Sequence, residues 1–239
     1  MILENRKGVN HMTRSTSYGT CVLCGKRTTK AGVARHLASC LEAQQPSGGR
    51  TGRLLRLRIE DAYSPLYWMD VEIKGVTTLA TLDAFLRARW LECCGHLSSF
   101  HIGNTEYTVP IEMMDMDLGS DARDMDVGIG KVLNKGAKFT HIYDFGTSTE
   151  LNLRVTDERQ GNIDSEPLRL LSHNEAPSWT CEVCGGNAEW VCTTCMWDQD
   201  NPFYCTDHAT DHDCEDEDPE MLLPVVNSPR MGQCAYGAV

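Results

Sequence analysis

The chain has 239 residues and a mass of 26.7 kDa, with 22 Lys+Arg against 34 Asp+Glu for a formal charge of −12. At about 150 residues per domain this is one principal core with smaller attachments, and the 41% apolar content excludes disorder throughout. No run approaches the ~20 apolar residues of a membrane helix, and residues 1–12 hold no apolar leader, so a cytoplasmic protein without membrane contact is expected.

The charge is segregated. Residues 1–58 carry Arg6, Lys7, Arg14, Lys26, Arg27, Lys30, Arg35, Arg50, Arg53, Arg56 and Arg58 against Glu4 and Glu42, a local +9 that leaves −21 for the rest. Phosphate attraction depends on local charge, so this block is the place where nucleic acid is expected to bind. Twelve cysteines are too few for a disulfide scaffold, and six of them stand in Cys-x-x-Cys pairs, with histidines interleaved along the chain, which in a reducing compartment points to metal.

In chain order, the first block (15–43) is a zinc finger. Cys21 and Cys24 form a turn pair, and His36 and Cys40 are spaced i,i+4 so that one helix face presents both. Val33 and Leu37 lie beneath the ligands. The spacing resembles the Cys-Cys-His-Cys relatives of the two-Cys, two-His fingers, except that Thr28 stands where an aromatic core residue is usual. One finger spans only about three base pairs, which is little for sequence-specific DNA readout. A polar linker, 44–52, follows.

The central block (53–160) alternates. Leu55, Leu57 and Ile59 are interleaved with Arg56 and Arg58, and Tyr67, Met69, Val71 and Ile73 with Trp68, Asp70, Glu72 and Lys74, the period of two half-buried strands. Leu79, Leu82, Phe85, Leu86 and Trp90 recur at helical spacing behind the caps Thr77 and Thr78, with Gly95 as a stop. Strands are expected near 100–102, 106–109, 139–145 and 151–155, and a short helix near 129–134. This order predicts an α+β fold with a mixed sheet, flanked by two small zinc-binding modules.

Residues 57–157 resemble the plasmid pRiA4b ORF-like family, also described as insertion-element passenger proteins of the TnpR type. The resemblance rests on Thr78-Leu79-x-x-Leu82, Trp90 ahead of His96-Leu97-Ser98-Ser99-Phe100, Ile102-Gly103…Tyr107 and Tyr143-Asp144-Phe145-Gly146. It implies a compact α+β domain found near mobile elements, with no defined reaction. The Asp, Trp and His that follow this last motif in relatives are Thr147, Thr149 and Leu151 here.

Four catalytic or ion-binding patterns fail on their residues. Gly128-Ile129-Gly130-Lys131 lacks the first glycine and the magnesium-binding hydroxyl of a phosphate loop, since Met125 and Val132 stand there. Counted from Asp115, a calcium loop would need a ligand at Gly119 and a glycine at Ser120. Cys93 and Cys94 beside His96 read as cysteines at a helix end, because adjacent side chains diverge. His141 and Asp144 likewise face opposite ways.

After a second linker (161–178), the third block (179–218) carries Cys181 and Cys184, Cys192 and Cys195, Cys205 and His208, then His212 and Cys214. Eight such ligands make two zinc ions the natural count. The block resembles cross-braced B-box, HIT and MYND fingers, which implies Cys181, Cys184, Cys205 and His208 on one ion and Cys192, Cys195, His212 and Cys214 on the other. Sequential pairing, or Asp207 or Asp211 as a ligand, is the competing arrangement. The tail, 219–239, is apolar enough to pack on the core.

Three zinc ions at closed sites favour a non-enzymatic binding protein, contacting nucleic acid through residues 1–58 and protein through 179–218. The competing reading is a metal- or thiol-dependent enzyme of mobile-element processing, with a pocket near His96 and Asp144.

Overall fold

The computed structural model describes residues 16–44, 51–109, 122–163, 165–214 and 221–238. The chain forms two units, one spanning Ser17–Glu175 and one comprising Ala176–Val239 with Met1–Thr16. Arg6, Lys7, Arg14 and Arg50, most of the first linker, Asp115, Gly119 and Ser120 of the calcium-loop count, and the acidic stretch 215–220 lie outside the described residues.

The α+β expectation holds, on a ten-stranded sheet. Its strands are β1 (Tyr18–Cys21), β2 (Arg27–Thr29), β3 (Gly52–Asp61), β4 (Trp68–Lys74), β5 (Ser98–Ile102), β6 (Thr105–Thr108), β7 (Arg123–Asp124), β8 (Lys138–Tyr143), β9 (Thr149–Gly161) and β10 (Leu168–Asn174). They lie in the order β2-β1-β10-β4-β3-β9-β8-β5-β6-β7. All neighbours are antiparallel except β6 and β7. The predicted hairpin sets Leu57 opposite Val71 and Ile59 opposite Met69, so the apolar members of both strands share one face. On that face pack α2 (Leu79–Leu86) and α3 (Ile129–Val132), whose Leu79, Leu82, Leu86 and Ile129 join Phe100, Phe139 and Tyr143 in the main core. Thr78 caps α2 by accepting a hydrogen bond from Thr81 N at 3.3 Å.

The single helix expected through Trp90 is in fact two. After α2 the chain widens into a π turn, Arg87–Leu91, closed by the Glu92 N–H donating to Arg87 O at 2.9 Å. Trp90 and Leu91 both lie in the core, at 2% and 0% exposure, with the π turn adding one residue to the helix just before the chain leaves it.

The second face of the hairpin is also covered, which corrects the half-buried expectation. Trp68 is 0% exposed and Asp70 and Glu72 are nearly as buried. Arg58 grips Asp70 through two 3.0 Å bonds, while Arg159 and Arg169 converge on Glu72, each at 2.7 Å. Buried carboxylates persist because they are paired in this way.

The finger lies on this same face and is continuous with the sheet. β1 pairs with β10, and α1 (Val33–Ala43) packs Val33, Leu37 and Leu41 against Trp68 and Leu171. Trp68 thus fills the aromatic position that Thr28 leaves vacant. Residues 168–174, assigned above to a linker, are the strand that makes this joint. Where β1 crosses Trp68, a Cβ on Gly19 would meet the His173 carbonyl oxygen and the indole ring, the latter at 2.5 Å. Replacing Gly19 with Ala is therefore expected to cost about 1–3 kcal/mol through overpacking, read as a lower urea midpoint; an unchanged midpoint would show that the joint yields.

The second unit is small. β11 (Trp190–Cys192) lies between β12 (Phe203–Tyr204) and β13 (Leu222–Pro224), and α4 (Thr206–Thr210) follows β12. Val191, Phe203, Leu223 and Met231 form its apolar centre. The tail expected to pack on the core instead supplies β13, with Leu223 opposite Val191, so it belongs to the second unit.

Candidate metal centres

The twelve predicted ligands fall into three groups of four: Cys21, Cys24, His36 and Cys40; Cys181, Cys184, Cys205 and His208; Cys192, Cys195, His212 and Cys214. Local backbone explains each pairing. In the first and second groups the chain turns back after the leading cysteine, Gly25 N and Gly185 N donating to Cys21 O and Cys181 O at 2.8 and 2.9 Å. Both glycines have positive φ, +72° and +70°, the region that a side chain disfavours. α1 then presents His36 and Cys40 one turn apart, as their spacing predicts, and α4 presents His208. In the third group Met196 N donates to Cys192 O at 3.1 Å, which curls Cys195 under Cys192.

A tetrahedral zinc with Zn–S near 2.3 Å and Zn–N near 2.0 Å separates its ligands by about 3.8 Å for S···S and about 3.5 Å for S···N. The observed separations are 3.9 Å for Cys21–Cys40 and 3.3 Å for Cys24–His36. In the second group they are 3.5 Å for Cys181–His208, 3.9 Å for Cys184–Cys205 and 3.2 Å for Cys205–His208. In the third they are 3.7 Å for Cys192–Cys214, 3.3 Å for Cys195–His212 and 3.9 Å for Cys195–Cys214. None of the twelve cysteines of the chain is in a disulfide. Each of the three groups is a sulfur-rich set of the size a metal ion fills, and could hold one. Of the two pairings left open by the sequence, the alternating one is what the structure brings together.

Electrostatics around the thiols differ. Burial pushes the Cys181 thiol up, but hydrogen bonds from the Cys205 and Cys184 backbone outweigh it and hold the thiol down at about 6. Cys40 and Cys195 go the other way, each pushed up to about 12 by burial and then by neighbouring thiols. Crowded thiolates resist ionising together, and a divalent cation between them reverses that penalty.

The central core holds a second constellation, which sequence reasoning missed. His141, 0% exposed, makes a 2.6 Å bond to Asp83, which also accepts from Ser98 Oγ at 2.7 Å and Arg87 Nε at 2.7 Å. Asp83 was hidden among the α2 residues as an ordinary helical acid. Burial pushes its carboxyl up, but hydrogen bonds from His141 and Ser98 and the Arg87 charge together hold it below the usual range. Burial lowers the His141 imidazole more than Asp83 raises it. His141 Nδ1 has no hydrogen-bond partner, which suits a neutral ring donating from Nε2. Asp144 lies 3.5 Å from His96 Nε2.

Among the described residues no helix is long and apolar enough to cross a membrane. A solved structure of a protein of unknown function from Methanosarcina mazei Go1 is similar over 56% of this chain and 75% of its own, at 16% identity and a TM-score of 0.41. No curated protein matches. Residues 53–213 match the family described as plasmid pRiA4b ORF-3-like protein. That match extends the resemblance at 57–157 through β10 and stops one residue short of Cys214. It covers well over half of the chain, which therefore belongs to the plasmid pRiA4b ORF-3-like family.

Proposed function

We propose that the chain is a zinc-stabilised binding protein, with one structural zinc in each of the three four-ligand groups and no reaction at any of them. The observation that carries this reading is the donor set: three sulfurs and one imidazole in every group, at tetrahedral separations, leave no position for a reacting water.

The second unit is the partner-binding part. From residue 176 onward the sequence has twelve carboxylates and one arginine, a net −11. Trp197 and Val183, 76% and 62% exposed, stand on its ligand loops beside Asp198 and Glu182. An apolar anchor within an acidic surface suits a basic protein partner. Crosslinking the full chain in its native cells tests this. Capture of a basic protein that is lost with Trp197→Ala supports the assignment; capture that ignores the substitution overturns it.

Nucleic acid at the first block remains part of the proposal, in reduced form. Five of its eleven bases are paired with carboxylates: Arg27 with Glu175, Lys30 with Glu60, Arg53 with Glu158, Arg56 with Asp157 and Arg58 with Asp70. Discounting these five leaves at most six bases for phosphate, four of them outside the described residues, which limits the slope of log K against log salt on duplex DNA to about −5. Titration of duplex DNA and structured RNA across salt is expected to show binding confined to low ionic strength. Absence of binding even there removes the nucleic-acid contact.

A further inference from the structure

The loop after the π turn gathers a set of metal-binding groups that neither the sequence reading nor the three zinc sites account for. Cys93 Sγ and Cys94 Sγ are 3.2 Å apart, and Cys94 Sγ is 2.9 Å from His96 Nε2. Adjacent side chains converge here because the chain has left the helix and turns at Gly95, with φ +77°.

The loop is held rather than loose. Tyr143 Oη accepts from His96 N at 3.3 Å and donates to Glu92 Oε1 at 3.0 Å. Gly95 N donates to the same Glu92 oxygen at 2.6 Å. Arg87 Nη2 donates to His96 O at 2.7 Å, and Asp144 N donates to Leu97 O at 2.8 Å. Every anchor comes from the π turn or the end of β8, so the main core fixes where the two sulfurs and the imidazole meet. Cys94 is exposed and Cys93 and His96 half-buried, so an ion can enter from water.

The geometry points to a fourth metal site, in the central domain, in which Cys93, Cys94 and His96 bind a zinc ion. Two thiolates and one imidazole are donors that zinc prefers over hard cations. Seating the ion opens the two separations by about half an ångström toward tetrahedral values, a movement that the exposed Cys94 side chain can make. Each thiol that binds gives its proton to solvent. Held by three ligands rather than four, one of them the exposed Cys94, this ion exchanges faster than those of the three four-ligand groups.

The test is metal content of the full chain, purified with zinc and a reductant, against the Cys94→Ser/His96→Ala double variant. The site predicts one metal equivalent fewer in the variant, with thermal unfolding otherwise unchanged. Equal metal content in the two overturns it, whatever the total at the other three sites. A second measurement does not depend on the variant's stability. Mild chelation of the wild-type chain followed by cobalt(II) is expected to restore one equivalent with a thiolate-to-cobalt absorption band. Prior alkylation of Cys93 and Cys94 should abolish that band; a band that survives alkylation assigns the exchangeable ion elsewhere and overturns the proposal.

Discussion

Removing metal under reducing conditions is expected to unfold the second unit while the ten-stranded sheet survives. Among the described residues the second unit has strands of two or three residues and one helix of five, and its apolar centre is a handful of side chains around Val191 and Phe203. Such a core cannot offset the conformational entropy of ordering its loops. A structural zinc contributes an apparent ~10–16 kcal/mol of folding free energy, so ions bound at the two groups of this unit would decide whether it is folded. Cys192→Ala, which removes a ligand that is 0% exposed, should act like chelation. Hydrogen exchange checks both: protection in residues 181–214 is expected to vanish, and protection that persists after verified metal removal would show that the unit does not need the ions. The finger should respond differently, with α1 fraying near His36 and Cys40 while β1 stays paired to β10.

The second large effect is in the central core. Asp83→Ala leaves His141 Nε2, Ser98 Oγ and Arg87 Nε without their common acceptor, and breaking a buried charged pair from one side costs about 3–5 kcal/mol. Urea unfolding of the variant reads this loss directly, and a change below about 1 kcal/mol would mean that water replaces the carboxylate. The pair also has a pH signature. His141 is lowered in the folded state from its ordinary value near 6.5, so between its folded and unfolded pKa values the unfolded chain binds the extra proton. Its contribution is therefore complete above about pH 6.5 and is lost as pH falls below that value. Asp83, also lowered, has the acidic sign, with stability present above its ordinary value near 4 and lost below it. His141→Gln keeps a donor for Asp83 but cannot titrate. The gap in stability between wild type and this variant should narrow as pH drops from 7 to 5; a constant gap would mean that folding leaves the His141 pKa unshifted, and a widening one that folding raises it.

What the sequence reveals depends on how far each signal reaches along the chain. The Cys and His clusters were legible because their members repeat a short spacing, and the hairpin of β3 and β4 because apolar residues alternate without interruption from Leu55 to Ile59 and from Tyr67 to Ile73. β10 was not legible. Leu168 and Leu170 begin an alternation, but a register shift between Leu170 and Ser172 breaks it, and Ser172 and Asn174 are buried polar residues facing Asp70 and Trp68 N. Trp68 was misplaced for a related reason. Its neighbours Asp70 and Glu72 made that face look solvated, whereas paired arginines and the finger bury it. Cys93 and Cys94 diverge under any regular backbone, and only a π turn followed by Gly95 brings them together.

The joint between β1 and β10 has a consequence for how this fold tolerates truncation. A chain cut after residue 44 would keep the whole stretch that matches the family, 53–213, yet it would lose the strand that covers β10 and the helix that covers Trp68 and Leu171. An unsatisfied ladder beside an uncovered indole is a template for self-association between copies. The finger is in this sense the guard of the sheet's margin, and a shortened protein would be expected to precipitate rather than to behave as a free-standing domain.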